Sequence, residues 1–214
     1  MVHDGPVAAS RPPGAAKVFG IGWQKTGTKS VGRALQVLGF SVASYQFVDD
    51  PEIHDRRKLV AKAIPLMRQY DACQDNPWTI LFRELDEAFP GGRFILTLRE
   101  EKAWYASAVR QFAGAPSEML KLLYGEAGPV GHETLFIERY RRHNREVMSY
   151  FAHRPNDLLV MDLAAGDGWE KLCPFLGVSI PAAPFPRENV AGTPRRSAFQ
   201  RASRFVKRAL RRDA

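Results

Sequence analysis

Cysteine is scarce. Of 214 residues only Cys73 and Cys173 carry a thiol. Two are too few to staple a domain of this length, and no CxxC pair suggests zinc, so no metal site is read. Both are expected to be reduced, partly buried thiols in a cytoplasmic protein. No stretch offers about 18 uninterrupted apolar residues, which excludes a transmembrane helix. Residues 1–16 lack the positive start and apolar core of a signal peptide. With three prolines among them, they read as a disordered arm. No internal repeat appears.

An excess of one charge is also missing from most of the chain. The net charge of +8 would suit a nucleic-acid partner. Yet eight of the 31 basic residues and one of the 23 acidic residues fall in Arg195–Ala214, leaving 23 and 22 for the rest. The body is close to neutral, and nucleic acid is not an expected partner. Residues 193–214 read as a basic amphipathic helix opening at Thr193-Pro194, with Phe199, Phe205 and Leu210 on a narrow apolar stripe. That helix could pack on the domain with a solvated face, or touch an anionic membrane surface or an acidic substrate.

What is present is concentrated in Lys17–Ser30. Val18, Phe19 and Ile21 form a short β-type run, and Val31, Leu35 and Leu38 then share one helical face. Between them lies a loop of glycine, lysine and hydroxyl residues. Strand, loop and helix in this order cradle phosphate, because unpaired N–H groups and the helix dipole favour an anion at the helix start. Gly27 permits close approach, while Lys25, Thr26, Thr28, Lys29 and Ser30 supply charge and hydroxyl donors. The spacing differs from a Walker A loop, in which lysine follows the last glycine directly. Here Thr28 intervenes, and Lys25 is a second lysine inside the loop. A small kinase or NTPase using Mg-ATP therefore remains the rival reading, with Lys29 as its cation and Asp162 as its metal carboxylate.

Arg93–Leu98 reads as another strand, with Arg99 at its carboxyl end, where open α/β sheets bind ligands. Ser107 follows eight residues later in the next helix. Guanidinium plus hydroxyl makes a clamp for a terminal phosphate.

With these residues in view, the chain resembles the sulfotransferases that use 3′-phosphoadenosine-5′-phosphosulfate (PAPS). Lys25-Thr-Gly-Thr-Lys-Ser30 is similar to their 5′-phosphosulfate loop, and Arg99 with Ser107 to their 3′-phosphate pair. Asp162-Leu-Ala-Ala-Gly-Asp-Gly-Trp-Glu-Lys-Leu-Cys-Pro-Phe-Leu-Gly177 and Pro184-Phe-Pro-Arg-Glu-Asn189 resemble a bacterial and lower-eukaryotic branch of that superfamily. The resemblance runs from about Lys17 to Asn189. It departs from the pattern at Glu100-Glu101, where the family usually has Asp-Pro, and at Lys29, where cytosolic relatives have Thr.

The resemblance implies sulfuryl transfer from PAPS to an acceptor hydroxyl or amine, with no required metal. The acceptor could be a small molecule, a carbohydrate or a lipid. Lys25 would be the catalytic cation, and Thr26, Gly27, Thr28, Lys29 and Ser30 would hold the 5′-phosphate with backbone N–H and hydroxyl groups. Arg195 and Arg196 would close over the nucleotide, as a basic segment does in related enzymes. A non-catalytic nucleotide binder of the same fold is a third reading. Asp75 is the candidate base for the acceptor proton. It can equally be an N-cap, since Asp before Asn-Pro opens many helices.

The remaining pattern alternates strand and helix. Strands are expected near Ser41–Tyr45, Ala72–Gln74 and Leu158–Leu163, and helices over His54–Tyr70, Asp75–Phe89, Glu133–Phe151 and Trp169–Leu176. Short connections between alternating elements predict a parallel sheet flanked by helices in one α/β domain, residues 17–192, of the P-loop nucleotide-fold type. His143 lies on an apolar stripe and reads as a core histidine, and His132 as a remote candidate near the acceptor. Trp23, inside the loop, is the aromatic best placed by sequence to stack on adenine.

Overall fold

In the computed structural model, residues 16–114, 117–125 and 128–188 are described. The expected N-terminal arm, apart from Ala16, the basic helix over 193–214, Arg195 and Arg196 lie outside these residues. Five strands form one parallel sheet. They are β1 (Val18–Gly20), β2 (Val42–Ala43), β3 (Ala72–Gln74), β4 (Arg93–Thr97) and β5 (Leu158–Met161). Their order across the sheet is β2-β3-β1-β4-β5.

Alternation along the strands splits the interior into two cores. Phe19, Cys73, Phe94 and Leu96 point to one side. Helices α2 (Arg56–Arg68), α3 (Phe82–Ala88), α4 (Glu101–Phe112), α5 (Glu118–Tyr124) and α6 (Glu133–Tyr150) contribute apolar residues to that side. Val18, Ala72 and Ile95 point to the other side, covered by α1 (Thr28–Val37) and α7 (Trp169–Leu176). Both faces of a parallel sheet are thereby withdrawn from water, and each fully buried large apolar side chain contributes about 2 kcal/mol.

Helix starts follow local chemistry. The Asp55 carboxylate accepts from the N–H groups of Arg57 and Lys58, so α2 begins after Asp55 and a separate 3-10 turn, Pro51–His54, precedes it. Glu100 caps α4 through the N–H groups of Lys102 and Ala103, which gives the residue after Arg99 a structural duty. Ser117 caps α5 by accepting from Leu120 N–H. Asp75, by contrast, caps no helix with its side chain. The 3-10 turn Trp78–Leu81 starts after Pro77 without a side-chain cap, and α3 follows it. The helical reading from Asp75 onward is corrected accordingly, since the chain turns sharply at Asp75 (φ 70°) before any helix can form.

Topology places the site. β1 is central, and its neighbours β3 and β4 are parallel to it. The loops leaving β1, β3 and β4 therefore emerge at one carboxyl edge, bringing Lys25, Asp75 and Arg99 together. No helix among the described residues is long and apolar enough to cross a membrane.

Candidate active site

The loop from β1 to α1 is held by side chains, four of them from outside it and one, Thr26, its own. Five consecutive carbonyls, Ile21 to Lys25, each accept a hydrogen bond from a different one. His143 Nε2 donates to Ile21 O at 2.8 Å and Thr79 Oγ1 to Gly22 O at 3.1 Å. Thr26 Oγ1 donates to Trp23 O at 2.5 Å. Trp104 Nε1 donates to Gln24 O at 2.8 Å and Arg99 Nη1 to Lys25 O at 3.3 Å. Engaging its carbonyls this way fixes the loop through the protein's own side chains, which is the preorganisation an anion cradle needs.

Two glycines make that shape attainable. A Cβ on Gly22 would fall 1.9 Å from Thr97 Oγ1, and one on Gly27 would fall 2.6 Å from Leu163 Cδ1. Gly27 also has φ 105° at the N-cap of α1, where no side chain among the described residues caps the helix. The start of α1 thus presents backbone N–H groups and positive dipole to the space beside it.

That space is a cavity of about 370 Å³. Lys25 and Gly27 line it from the loop, Thr28 and Lys29 from the first turn of α1, Asp75 from the end of β3, Arg99 from the end of β4 and Ser107 from α4. Lys25 Nζ donates to Gln111 Oε1 at 3.3 Å, one helical turn beyond Ser107. Arg99 has a buried Nε with no hydrogen-bond partner among the described residues. A buried guanidinium nitrogen without an acceptor is costly, and an anion in this cavity would relieve the cost. The donor set therefore fits a phosphate-bearing nucleotide.

Asp75 faces the same cavity. Burial pushes its carboxyl above the usual carboxylate range, opposed by the Asn76 N–H, Lys29, Lys25 and the Thr28 hydroxyl. Lys25 and Asp75 both have left-handed backbones, with φ of 71° and 70°. Such conformations cost a non-glycine residue about 1–2 kcal/mol, and among the described non-glycine residues they fall on these two candidate catalytic residues and on Phe47.

Thr26 in the loop and Ser30 in the first turn of α1 are placed differently from their neighbours. Thr26 is buried and does not line the cavity. Its N–H and hydroxyl both donate to Trp23 O, and its hydroxyl also pairs with that of Thr97. Ser30 Oγ accepts from Glu188 N–H at 2.9 Å, fastening the segment after α7 to α1. Trp23 is 4% exposed, so the expectation that it could stack on adenine is overturned. Its indole N–H donates to Tyr124 OH at 2.6 Å, and its ring lies 4.7 Å from that of His143. His143 is itself the buried core histidine expected. His132 is tied to Gly128 O.

Sequence reading missed the far wall of the cavity. Met119, Leu120 and Leu123 of α5 line it with Phe112, Ser44, Tyr45 and Asn76. The available signal was Ser117-Glu118 ahead of a short apolar run, a helix start that the surrounding glycine-rich chain obscured.

A family model described as a sulfotransferase domain matches the chain over residues 17–131 and 108–193. No curated protein matches the chain. The two matched segments run from the first strand through the cavity-lining helices to the segment after α7. The chain therefore belongs to the sulfotransferase domain family, whose chemistry is sulfuryl transfer.

Proposed function

We propose that the protein transfers a sulfuryl group from PAPS to an acceptor hydroxyl by in-line displacement. The observation that carries this reading is the convergence of Lys25, Asp75, Arg99 and Ser107 on one cavity from four separate elements. Bound PAPS would supply the activated sulfur and a leaving phosphate.

The chain's own residues then divide the work. N–H groups of Gly27, Thr28 and Lys29 at the start of α1 hold the 5′-phosphate, with the Thr28 hydroxyl and the Lys29 ammonium beside them, since the N–H groups of Thr26 and Ser30 already donate to Trp23 O and Gly27 O. Thr26 acts through the loop's shape, and Ser30 fixes Glu188 against the site. Arg99, whose Nε has no partner among the described residues, and Ser107 take the 3′-phosphate. Lys25 neutralises the negative charge that grows on the leaving oxygen, where a fixed cation in a water-poor site stabilises most. Asp75 receives the acceptor proton, and the burial that raises its pKa makes it the stronger base. Arg195 and Arg196 would close over the nucleotide. The Mg-ATP reading gains no support from Asp162, whose Oδ1 accepts from the N–H groups of Ala164 and Ala165 in the turn after β5.

Calorimetric titration with 3′-phosphoadenosine-5′-phosphate (PAP) in EDTA tests the assignment. Micromolar binding is expected, lost in Arg99→Ala and weakened in Ser107→Ala. Binding of ATP with Mg²⁺ in place of PAP would overturn it.

A further inference from the structure

The cavity is built from two kinds of surface. The loop and the β4 edge contribute cations and hydroxyls, whereas α5 contributes only the apolar residues Met119, Leu120 and Leu123. Met119 and Leu120 are neighbours, Leu123 follows them by about one helical turn, and the three are 1%, 3% and 4% exposed. The charged residues of α5 are engaged elsewhere. Glu118 accepts from Lys121 at 2.9 Å and pairs with His54 at 2.8 Å. Phe112, in the last turn of α4, extends the apolar wall.

Polar groups on the acceptor side come from the β2 and β3 ends. Asp75 lies there with Asn76, which is 2% exposed and whose Oδ1 has no partner among the described residues. An unpaired, buried oxygen beside a candidate base asks for a donor from the ligand. A hydroxyl supplies one. A protonated amine fits less well, because Lys25 and Lys29 already act on Asp75. A sugar fits less well still, since its several hydroxyls would be stranded against Met119, Leu120 and Leu123.

We infer that the acceptor is an uncharged phenol or alcohol with a compact apolar body of one or two rings, seated against α5 with its hydroxyl at Asp75 and Asn76. This rests on the sulfuryl-transfer reading above. In the step it implies, the acceptor oxygen forms a new S–O bond as the bond from sulfur to the bridging oxygen breaks. That oxygen keeps the bonding pair and departs on PAP, and the acceptor proton passes to Asp75. Because the donor takes part of the same cavity of about 370 Å³, the body of the acceptor seated beside it is small.

The test uses 2-naphthol and N-acetylglucosamine as acceptors with PAPS, and follows 2-naphthol fluorescence on binding to the protein–PAP complex. Saturable binding and turnover of 2-naphthol are expected, with N-acetylglucosamine at least about a hundredfold poorer in kcat/KM, the scale of apolar-pocket discrimination. Leu120→Gln should raise the 2-naphthol dissociation constant about tenfold or more while leaving calorimetric PAP affinity within about twofold. Phe112→Ser, at a half-buried position that is safer for folding, should act in the same direction.

Two outcomes overturn the inference while PAP binding stands. One is sulfation of N-acetylglucosamine as efficient as that of 2-naphthol. The other is 2-naphthol affinity unchanged in both folded variants, or absent from the wild-type PAP complex. Loss of wild-type PAP binding removes the sulfuryl-transfer reading itself, and this inference with it.

Discussion

His143 Nε2 donates to the carbonyl of Ile21 at 2.8 Å, so a histidine deep in α6 fixes the first residue of the phosphate loop. Burial depresses its pKa from 6.5 to about 4, with the Ile21 carbonyl pulling the other way. In the unfolded chain the ring charges near pH 6.5, while in the folded protein it stays neutral to about pH 4. The unfolded state therefore binds more protons between these limits, and stability falls as the pH drops through them, by about 3 kcal/mol over the full window. Above pH 6.5 the contribution is complete. Urea unfolding of wild type and His143→Gln at several pH values checks this. The variant keeps a donor and should lose the pH-dependent part.

Tyr124 anchors the same loop from α5. Its hydroxyl accepts from Trp23 Nε1 and from Gln24 Nε2, and its ring stacks on Phe136 at 3.6 Å. Tyr124→Phe keeps the stack but leaves two buried donors without an acceptor, which costs about 1–3 kcal/mol. Differential scanning calorimetry should show a Tm lower by several degrees. An unchanged Tm would mean that the donors find other partners.

Gly27→Ala tests the cradle. The added methyl must displace Leu163, and the left-handed φ of 105° disfavours any side chain. The expected result is PAP affinity reduced by at least about tenfold, the equivalent of 1.4 kcal/mol, in a protein with wild-type circular dichroism. Gly91, with φ 78° and open space around its Cβ position, serves as control. Gly91→Ala should cost some stability and leave PAP binding intact.

Much of this site was legible because its residues follow one another closely. The Lys17–Ser30 run carries strand, loop and helix start in local order, and Arg99 and Ser107 share a β-α unit. The parallel α/β fold could be read from alternation, as could the buried state of His143. The order β2-β3-β1-β4-β5 could not, since strand pairing joins residues far apart in the chain. Trp23 misled for a related reason. A loop position suggests exposure, but Tyr124, a hundred residues away, draws it inward. The seven residues of α5 are too short for periodicity to separate helix from strand. For Asp75 the sequence left base and N-cap open, because Asp before Asn-Pro suits either, whereas in the fold the residue has a left-handed backbone and lines the cavity.

Asp75 carries the sharpest kinetic prediction. A carboxylate whose pKa is raised by burial must lose its proton before it can accept one from the acceptor. Activity should therefore rise with pH through an apparent pKa above the usual carboxylate range, then level off until another group titrates. Asp75→Asn removes the base while preserving size, and the side chain can still meet the Asn76 N–H through its carbonyl oxygen. It should lower kcat by about 10²–10⁴-fold and abolish the acidic limb. PAP affinity should change little or rise slightly, since a negative charge near Lys25 and Lys29 is lost. Were the limb to survive in Asp75→Asn with kcat reduced less than about threefold, proton removal would belong to another group, and Asp75 would be left as a residue that shapes the turn after β3.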